Sequence, residues 1–177
     1  RSSDTFSIGL SNVTVPPENI LGEAGRGFNI AMEVLNGGRI GIAAQALGIA
    51  QGAFERALEY STQRKAFGKP IADLQAIQFK LAEMSVKIEA SRLLILRAAT
   101  MKDNHVRFVK EAAQAKLMAS KTAVEVTLEA IQVHGGYGYV REYHVERMLR
   151  DAKITEIYEG TSEIQHIVIA RELIKSL

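Results

Sequence analysis

The chain has 177 residues and no cysteine, which excludes a disulfide framework, a thiolate nucleophile and a cysteine-based metal site. Hydrophobic residues make up 47% and charged residues 24%, as in an ordinary globular domain, and the net charge of +2 is too small to indicate binding to nucleic acid or a membrane surface. Four histidines are scattered without metal-ligand spacing, and no run of about eighteen apolar residues predicts a membrane span.

The N-terminal stretch alternates between apolar and polar residues, with Phe6, Ile8 and Leu10 on one face. Such alternation is typical of a strand. We therefore expect residues 1–21 to be the end of a β domain and residues 22–177 to form a helical domain.

Helical periodicity begins at Phe28 and continues to Ser61, with one expected interruption at Asn36-Gly37-Gly38. Glycine costs up to about 1 kcal/mol per position in a helix, so the pair predicts a kink or a close approach of another group. Gly41, Gly48 and Gly52 also recur along this helix. Small residues at such spacing indicate tight packing between helices.

Further helices are predicted at 74–101, 108–133 and 162–175, with a short one around 145–154. The predicted apolar stripe of the helix that ends at Ser61 includes Ala46, Ala53 and Leu58, that of the 108–133 helix includes Ala112, Ala115, Ala119, Ala123, Val126 and Ala130, and that of the last helix includes Ile164, Ile167, Val168 and Leu173. The helices are joined by short loops, which favours an all-α fold, an antiparallel up-down bundle with only a short β remnant at the N-terminus. The 108–133 helix is more apolar than one bundle core needs, which indicates a subunit interface.

Between the last two helical patterns lies the run Tyr158-Glu159-Gly160-Thr161-Ser162. Either Thr161 or Ser162 fits a helix N-cap, and Ser162 with Gln165 has capping-box spacing. Two interpretations of Glu159 compete. It is a solvated loop glutamate, the commoner state of this residue, or a general base on a positioned loop.

The run from Arg150 to Gln165 resembles the acyl-CoA dehydrogenase family at the site of its catalytic glutamate. Four further motifs match in family order: Gly38-Arg39-Ile40, Arg64 to Pro70, Gln75 to Gln78, and Gln132 to Gly138. Together they cover essentially the whole chain, and the similarity is greatest to the short-chain, butyryl-type members. The resemblance implies that this chain is the C-terminal part of a longer enzyme.

The same resemblance assigns the site residues. It implies that Glu159 is the catalytic base, and Gly38, which stands where some relatives carry their base, strengthens that assignment. The residues implied to line the substrate are Asn36, Gly38, Arg39 and Gly160. The residues implied to contact FAD are Arg64, Phe67, Gln75, Gln132, Gly135, Gly136, Thr161, Ser162 and Glu163.

Several of these residues also have a plain structural interpretation. Arg64 suits the C-terminal end of a helix dipole, and Glu163 suits the N-terminal end of one. Arg39 could be a surface arginine. His134 is interpreted as a capping or packing residue rather than a catalyst.

The implied reaction is FAD-dependent α,β-dehydrogenation of a short-chain acyl-CoA, with electrons passed to an electron-transferring flavoprotein. The implied assembly is a homotetramer, a dimer of dimers. The implied compartment is the cytoplasm of a bacterium or the mitochondrial matrix of a eukaryote. Two alternatives stay open: a flavin acyl-CoA oxidase of the same fold, and a non-catalytic helical assembly module.

Overall fold

A computed structural model describes residues 3–177 of the chain. Within that range there are five α-helices: α1 Gly27–Gln63, α2 Gln75–Asp103, α3 Val109–His134, α4 Val145–Ile154 and α5 Ser162–Ile174. Two short strands, β1 Lys65–Ala66 and β2 Lys69–Pro70, form an antiparallel hairpin between α1 and α2. Single 3-10 turns lie at Pro17–Asn19, Ile71–Asp73, Gly135–Tyr139 and Arg141–Tyr143. The predicted all-α class is confirmed.

Contacts between α2 and α3 show that neighbouring helices run in opposite directions. Near the start of α2, Lys80 forms an ion pair with Glu129 late in α3. Near the end of α2, Arg97 lies 3.7 Å from Glu111 at the start of α3. The hairpin that joins α1 to α2 likewise reverses the chain, so the first three helices form an up-down-up bundle.

The core between α1 and α3 is built mainly from alanine. The side chains with no exposed surface include Ala43, Ala46, Ala50, Ala53 and Ala57 of α1 and Ala112, Ala115, Ala119, Ala123 and Ala130 of α3. Alternating steps of three and four residues keep them on one helix face. The predicted stripe of α3 is therefore confirmed. The predicted stripe of α1 is shifted at its end, where Leu58 is 41% exposed and Ala57 is buried.

Helix α3 lies at the centre of the molecule, where it packs against α1, α2, α4 and α5. This position accounts for its apolar excess within a single chain. Contacts to α4 and α5 thus bury part of the apolar surface that suggested a subunit interface, and the interface itself stays a prediction. Among residues 3–177, no helix is long and apolar enough to cross a membrane.

Three local predictions were wrong. Helix α1 continues without a break through Asn36-Gly37-Gly38, so the expected interruption is absent. Gly41 and Gly48 face open space, since a Cβ atom added to either would have no atom within 4 Å. Of these three glycines only Gly52 approaches another helix, because a Cβ atom added there would lie 3.3 Å from the Met148 side chain of α4. Residues 4–16 form no strand. A strand needs a hydrogen-bonded partner, and this stretch has none in the described part of the chain.

Candidate active site

A strained turn between α4 and α5 carries Glu159. Glu159 and Gly160 both adopt left-handed backbone conformations, with φ of 55° and 92°. For a residue with a side chain this conformation costs of order 1–3 kcal/mol and persists only where surrounding contacts impose it. The reversal directs the Glu159 side chain back toward α1.

The Glu159 carboxylate lies against Gly38 in the first half of α1. A Cβ atom placed on Gly38 would be 2.6 Å from Glu159 Oε2 and 3.1 Å from its Cδ. The close approach predicted for the glycine pair is therefore confirmed at Gly38. Because any side chain at position 38 would occupy the space of the carboxylate, glycine there is a condition for the observed position of Glu159.

Arg39 follows Gly38 and is not a surface arginine. Its side chain is only 6% exposed, and its Nη1 donates a hydrogen bond of 2.7 Å to Asn36 Oδ1. Desolvation lowers the pKa of Arg39, and the negative charge of Glu159 partly opposes that shift. Asn36, Gly38, Arg39 and Glu159 thus form one cluster.

Lys116 of α3 holds the same turn and was missed from the sequence. It has no exposed surface, and its Nζ donates a hydrogen bond of 2.8 Å to the Gly160 carbonyl oxygen. Burial lowers its pKa to about 8. A signal existed, because Lys116 lies four residues after Ala112 and three before Ala119 on the buried face of α3.

The start of α5 completes the turn in a way that corrects the predicted capping box. Thr161 is the N-cap, and its Oγ1 accepts a 3.4 Å bond from the Ile164 N–H. Ser162 lies one position inside the helix. Gln165, fully buried, donates instead to the Gly160 carbonyl at 2.8 Å and to the Glu159 carbonyl at 3.3 Å.

Unpaired buried polar atoms collect around this turn. In the described part of the chain, four buried side-chain polar atoms lack a hydrogen-bond partner: Arg39 Nε, Glu159 Oε2, Ser162 Oγ and Gln165 Oε1. All four belong to the Glu159 cluster or to the first turn of α5. Buried polar groups are normally paired, so this concentration of donors and acceptors fits a polar ligand that completes the site.

The neighbouring carboxylates have other partners. Glu156 accepts a hydrogen bond of 2.5 Å from Lys153. Glu163 is exposed in the first turn of α5, where a hydrogen bond with the Thr161 side chain is the main cause that lowers its pKa. Glu159 is the carboxylate that reaches the α1 cluster. Among the described residues, no cluster of three or more potential ligands could hold a metal ion.

A large open cleft adjoins the Glu159 cluster. Its volume is about 1020 Å³, and its walls include Asn36, Gly37 and Gly38 of α1 on one side and residues 105–109 on the other. Glu159 is not itself in the cleft wall, but its carboxylate lies against Gly38, which is part of that wall.

The remaining residues expected to contact FAD lie elsewhere. Arg64, Gly135 and Gly136 line a second cleft of about 450 Å³ with Tyr60 and Tyr137. The Arg64 guanidinium lies 5.5 Å from the centre of the Tyr137 ring. Aromatic and cationic groups together suit a planar, anionic ligand.

Three further members of that set are exposed, and each lies within four residues of a residue that lines the second cleft. Phe67 is 92% exposed, and Gln75 and Gln132 are also exposed. His134 is buried beneath them, stacks on Tyr60 at 4.3 Å and shares a hydrogen bond of 2.7 Å with the Ala130 carbonyl. Burial lowers its pKa. These contacts are those of a packing residue.

The two groups of residues are far apart in one chain. Arg39 and Arg64 are separated by 25 positions of α1, or roughly 37 Å of axial rise. Thr161, Ser162 and Glu163 lie at the Glu159 turn, and the other six residues expected at FAD lie around the second cleft. The structure thus divides the predicted cofactor set between two surfaces.

Comparison with known proteins identifies related chains. Residues 25–174 match the family described as the acyl-CoA dehydrogenase C-terminal domain. The chain is 55% identical over 176 residues to the mitochondrial short-chain specific acyl-CoA dehydrogenase of Bos taurus, covering 99% of this chain and 43% of that protein. It is 50% identical over 171 residues to the CarC subunit of the caffeyl-CoA reductase-Etf complex of Acetobacterium woodii, covering 97% and 45%.

A solved structure agrees with these sequence matches. Butyryl-CoA dehydrogenase from Megasphaera elsdenii superposes with a TM-score of 0.90 and 56% identity, over 90% of this chain and 42% of that one. The chain therefore spans less than half the length of the relatives that it matches.

Proposed function

Because the chain belongs to the acyl-CoA dehydrogenase family, we propose that the protein containing it oxidises short-chain acyl-CoA thioesters to the α,β-enoyl products with FAD. The observation that carries this proposal is the half-buried Glu159 side chain, whose carboxylate lies against Gly38 of the cleft wall and whose buried Oε2 is unpaired. A base with a free acceptor atom is what removal of a weakly acidic α proton requires.

In this mechanism Glu159 takes the α proton of the bound thioester. No backbone carbonyl in residues 3–177 accepts the Glu159 N–H, so that donor is free to stabilise the thioester oxygen as negative charge develops there. Arg39 and Asn36 fix the α1 wall of the cleft through their mutual hydrogen bond. FAD, when bound, supplies the acceptor for the hydride from the β carbon, which no amino-acid side chain can be.

The residues expected to contact FAD lie on two separate surfaces, which supports an FAD site shared between two subunits. Thr161, Ser162 and Glu163 would meet FAD at the Glu159 turn, and the second cleft, with Arg64, Gly135 and Gly136, would meet FAD of a neighbouring subunit. A separation of roughly 37 Å along α1 is too long for one dinucleotide to contact both surfaces. This arrangement needs at least a dimer and is consistent with the homotetramer, a dimer of dimers, that the family resemblance implies.

The electron acceptor is proposed to be an electron-transferring flavoprotein. Support comes from the relative of Acetobacterium woodii, whose name describes a reductase-Etf complex subunit. That name also favours a second candidate function, reduction of an enoyl-CoA by the same residues in the reverse direction. The two candidates share the site and differ in the direction of electron flow.

The deciding experiment is an anaerobic titration of the purified full-length protein with acyl-CoAs of increasing length. We expect flavin absorbance to bleach most readily with butyryl-CoA. Absence of flavin, or flavin that no acyl-CoA bleaches, would contradict the proposal and favour a non-catalytic assembly module. Hydrogen peroxide formed in air would indicate an oxidase. Reoxidation of the reduced protein by an enoyl-CoA measures the reverse reaction.

A further inference from the structure

Lys116 is a buried charge that the proposed mechanism does not use. It lies on the face of α3 that is otherwise lined by alanine, and its side chain has no exposed surface. Its hydrogen-bond partner is the Gly160 carbonyl, at 2.8 Å, rather than a carboxylate. Burying an ammonium group costs desolvation free energy unless the group is well paired. A neutral carbonyl offsets less of that free energy than an anion does.

The groups around Lys116 do not make its burial favourable for the stability of the fold. Glu156, Glu159 and Glu163 favour its charged form and Arg39 opposes it, but desolvation outweighs them and lowers the pKa of Lys116 to about 8. The Gly160 carbonyl also accepts a hydrogen bond of 2.8 Å from Gln165. That carbonyl would therefore stay paired without the lysine.

What Lys116 contacts is the strained part of the site. Gly160 follows Glu159, and both residues hold the left-handed conformation that must be imposed by their surroundings. Gln165 belongs to α5, the helix that the turn itself leads into, so its two bonds move with the turn. Lys116 is anchored on the central helix α3 instead.

We infer that Lys116 is a positioning residue, which ties the Gly160–Thr161 peptide, directly after Glu159, to α3 and so keeps the Glu159 carboxylate against Gly38. The base role of Glu159 in this inference rests on the proposed function. Held this way, the carboxylate and the Glu159 N–H meet the substrate in one fixed geometry. A displacement of about 1 Å in such a geometry costs up to about a hundredfold in rate.

The test uses the full-length protein with Lys116→Met, which keeps the length of the side chain and removes the donor. Lys121→Met is the matched control, because Lys121 is an exposed lysine on the same helix. Three quantities are compared with wild type: the midpoint of thermal unfolding, kcat and KM for butyryl-CoA, and amide hydrogen exchange in peptides that cover residues 156–165.

We expect Lys116→Met to lower kcat roughly 10- to 100-fold with KM nearly unchanged. Exchange at the turn should become faster, and the unfolding midpoint should stay equal or rise. Lys121→Met should match wild type in all three quantities. A merely structural lysine would lower the midpoint when removed, which is the result that separates the two roles.

The pH dependence supplies an independent readout. The pKa of Lys116 is lowered from 10.5 to about 8 in the folded protein, so between these values the unfolded chain binds more protons than the folded one. The stability of the folded protein therefore rises with pH across that window, as the unfavourable contribution of the buried charged lysine disappears. Below pH 8 that unfavourable contribution is fully present. The stability advantage of Lys116→Met over wild type should accordingly be largest below pH 8 and shrink toward pH 10.5.

Hydrogen exchange separates failure of this inference from failure of the proposed function. If wild-type protein is not bleached by any acyl-CoA, the proposed function is wrong, but faster exchange at the turn in Lys116→Met alone still supports the tether. Wild-type exchange at the turn in that variant, or wild-type kcat, would overturn the inference. If Lys116→Met fails to fold, Lys116→Leu, which also lacks a donor, gives the same comparisons.

Discussion

In the proposed mechanism Glu159 is the residue on which the chemistry depends, and its geometry makes a direct prediction. Glu159→Gln keeps the size of the side chain and removes its basicity. We expect acyl-CoA and FAD binding to persist and turnover to fall by several orders of magnitude, because loss of a positioned base alone costs about 10²–10⁴-fold. The measurement is steady-state turnover together with binding of butyryl-CoA.

Glu156→Gln is the matched control for this variant. Glu156 precedes Glu159 by three residues, and its carboxylate is occupied by Lys153. Turnover in that variant should stay close to wild type. Near-normal turnover in Glu159→Gln would remove this residue from the mechanism.

Gly38 offers a test that separates activity from stability. The atom that a new Cβ would meet, Glu159 Oε2 at 2.6 Å, is the far end of a side chain. Gly38→Ala should therefore fold, and replacing glycine inside a helix stabilises by roughly 0.5–1 kcal/mol. The carboxylate must move away, so we expect up to about a hundredfold loss of kcat. Thermal unfolding and turnover are measured on the same preparation.

Gly41→Ala tests the same substitution three residues further along α1. A Cβ there would have no atom within 4 Å. This variant should gain stability without losing activity. If Gly38→Ala kept full turnover, close approach to Gly38 would not be what places the base.

At the scale of secondary structure, α1 connects the two surfaces, since Gly38 lies in its first half and Arg64 caps its C-terminal end. We predict that Arg64→Ala weakens FAD retention more than substrate affinity. A lost charge-assisted hydrogen bond costs about 1.5–3 kcal/mol, which is roughly ten- to a hundredfold in affinity. Flavin content after extensive dilution is the measurement.

Lys65→Ala is the control for the Arg64 variant. Lys65 is the next residue, exposed and at the start of β1. It should retain flavin like wild type. Full flavin occupancy of Arg64→Ala after dilution would count against the role assigned to this surface.

The elements that the sequence predicted well are those with sustained periodicity. The bounds of α2, α3 and α5 were predicted to within a few residues, because long apolar stripes define a helix whatever surrounds it. The hairpin of β1 and β2 was missed, since two-residue strands carry no periodic signal. The capping box failed because spacing alone could not show that Gln165 would bond the turn instead.

Apart from the family resemblance, which named Glu159, local patterns predicted the site only where a residue type was unusual for its place. Gly38 was noticed because glycine is unfavourable inside a helix, and the close approach of the Glu159 carboxylate explains why glycine stands there. Lys116 was missed because lysine is almost never fully buried, so its position on the buried face of α3 was not given weight. Which carboxylate near the turn would reach α1 depends on tertiary contacts that no local pattern contains.

At the scale of the whole molecule, exposed apolar side chains occur along much of the described chain, including both of its ends. Phe6, Ile8 and Leu10 are each more than 80% exposed. On α5, Ile167 and Leu173 are 44% and 50% exposed, although both belong to its predicted apolar stripe. Exposed apolar side chains are available to contact other parts of an assembly, which is consistent with the β domain and the neighbouring subunits that the family resemblance implies.

These exposed surfaces lead to a prediction about residues 1–177 as an isolated chain. Its helices should form, because the alanine core between α1 and α3 is complete within the chain. Catalysis should fail, because the cofactor residues are divided between two distant surfaces and the buried polar atoms at the Glu159 turn lack partners. We therefore expect a helical circular dichroism spectrum, self-association and little flavin. Size-exclusion chromatography and absorbance in the flavin region measure these properties, with the full-length protein as control. An isolated chain that purified with stoichiometric FAD and oxidised butyryl-CoA would show that the remainder of the protein is dispensable for the site.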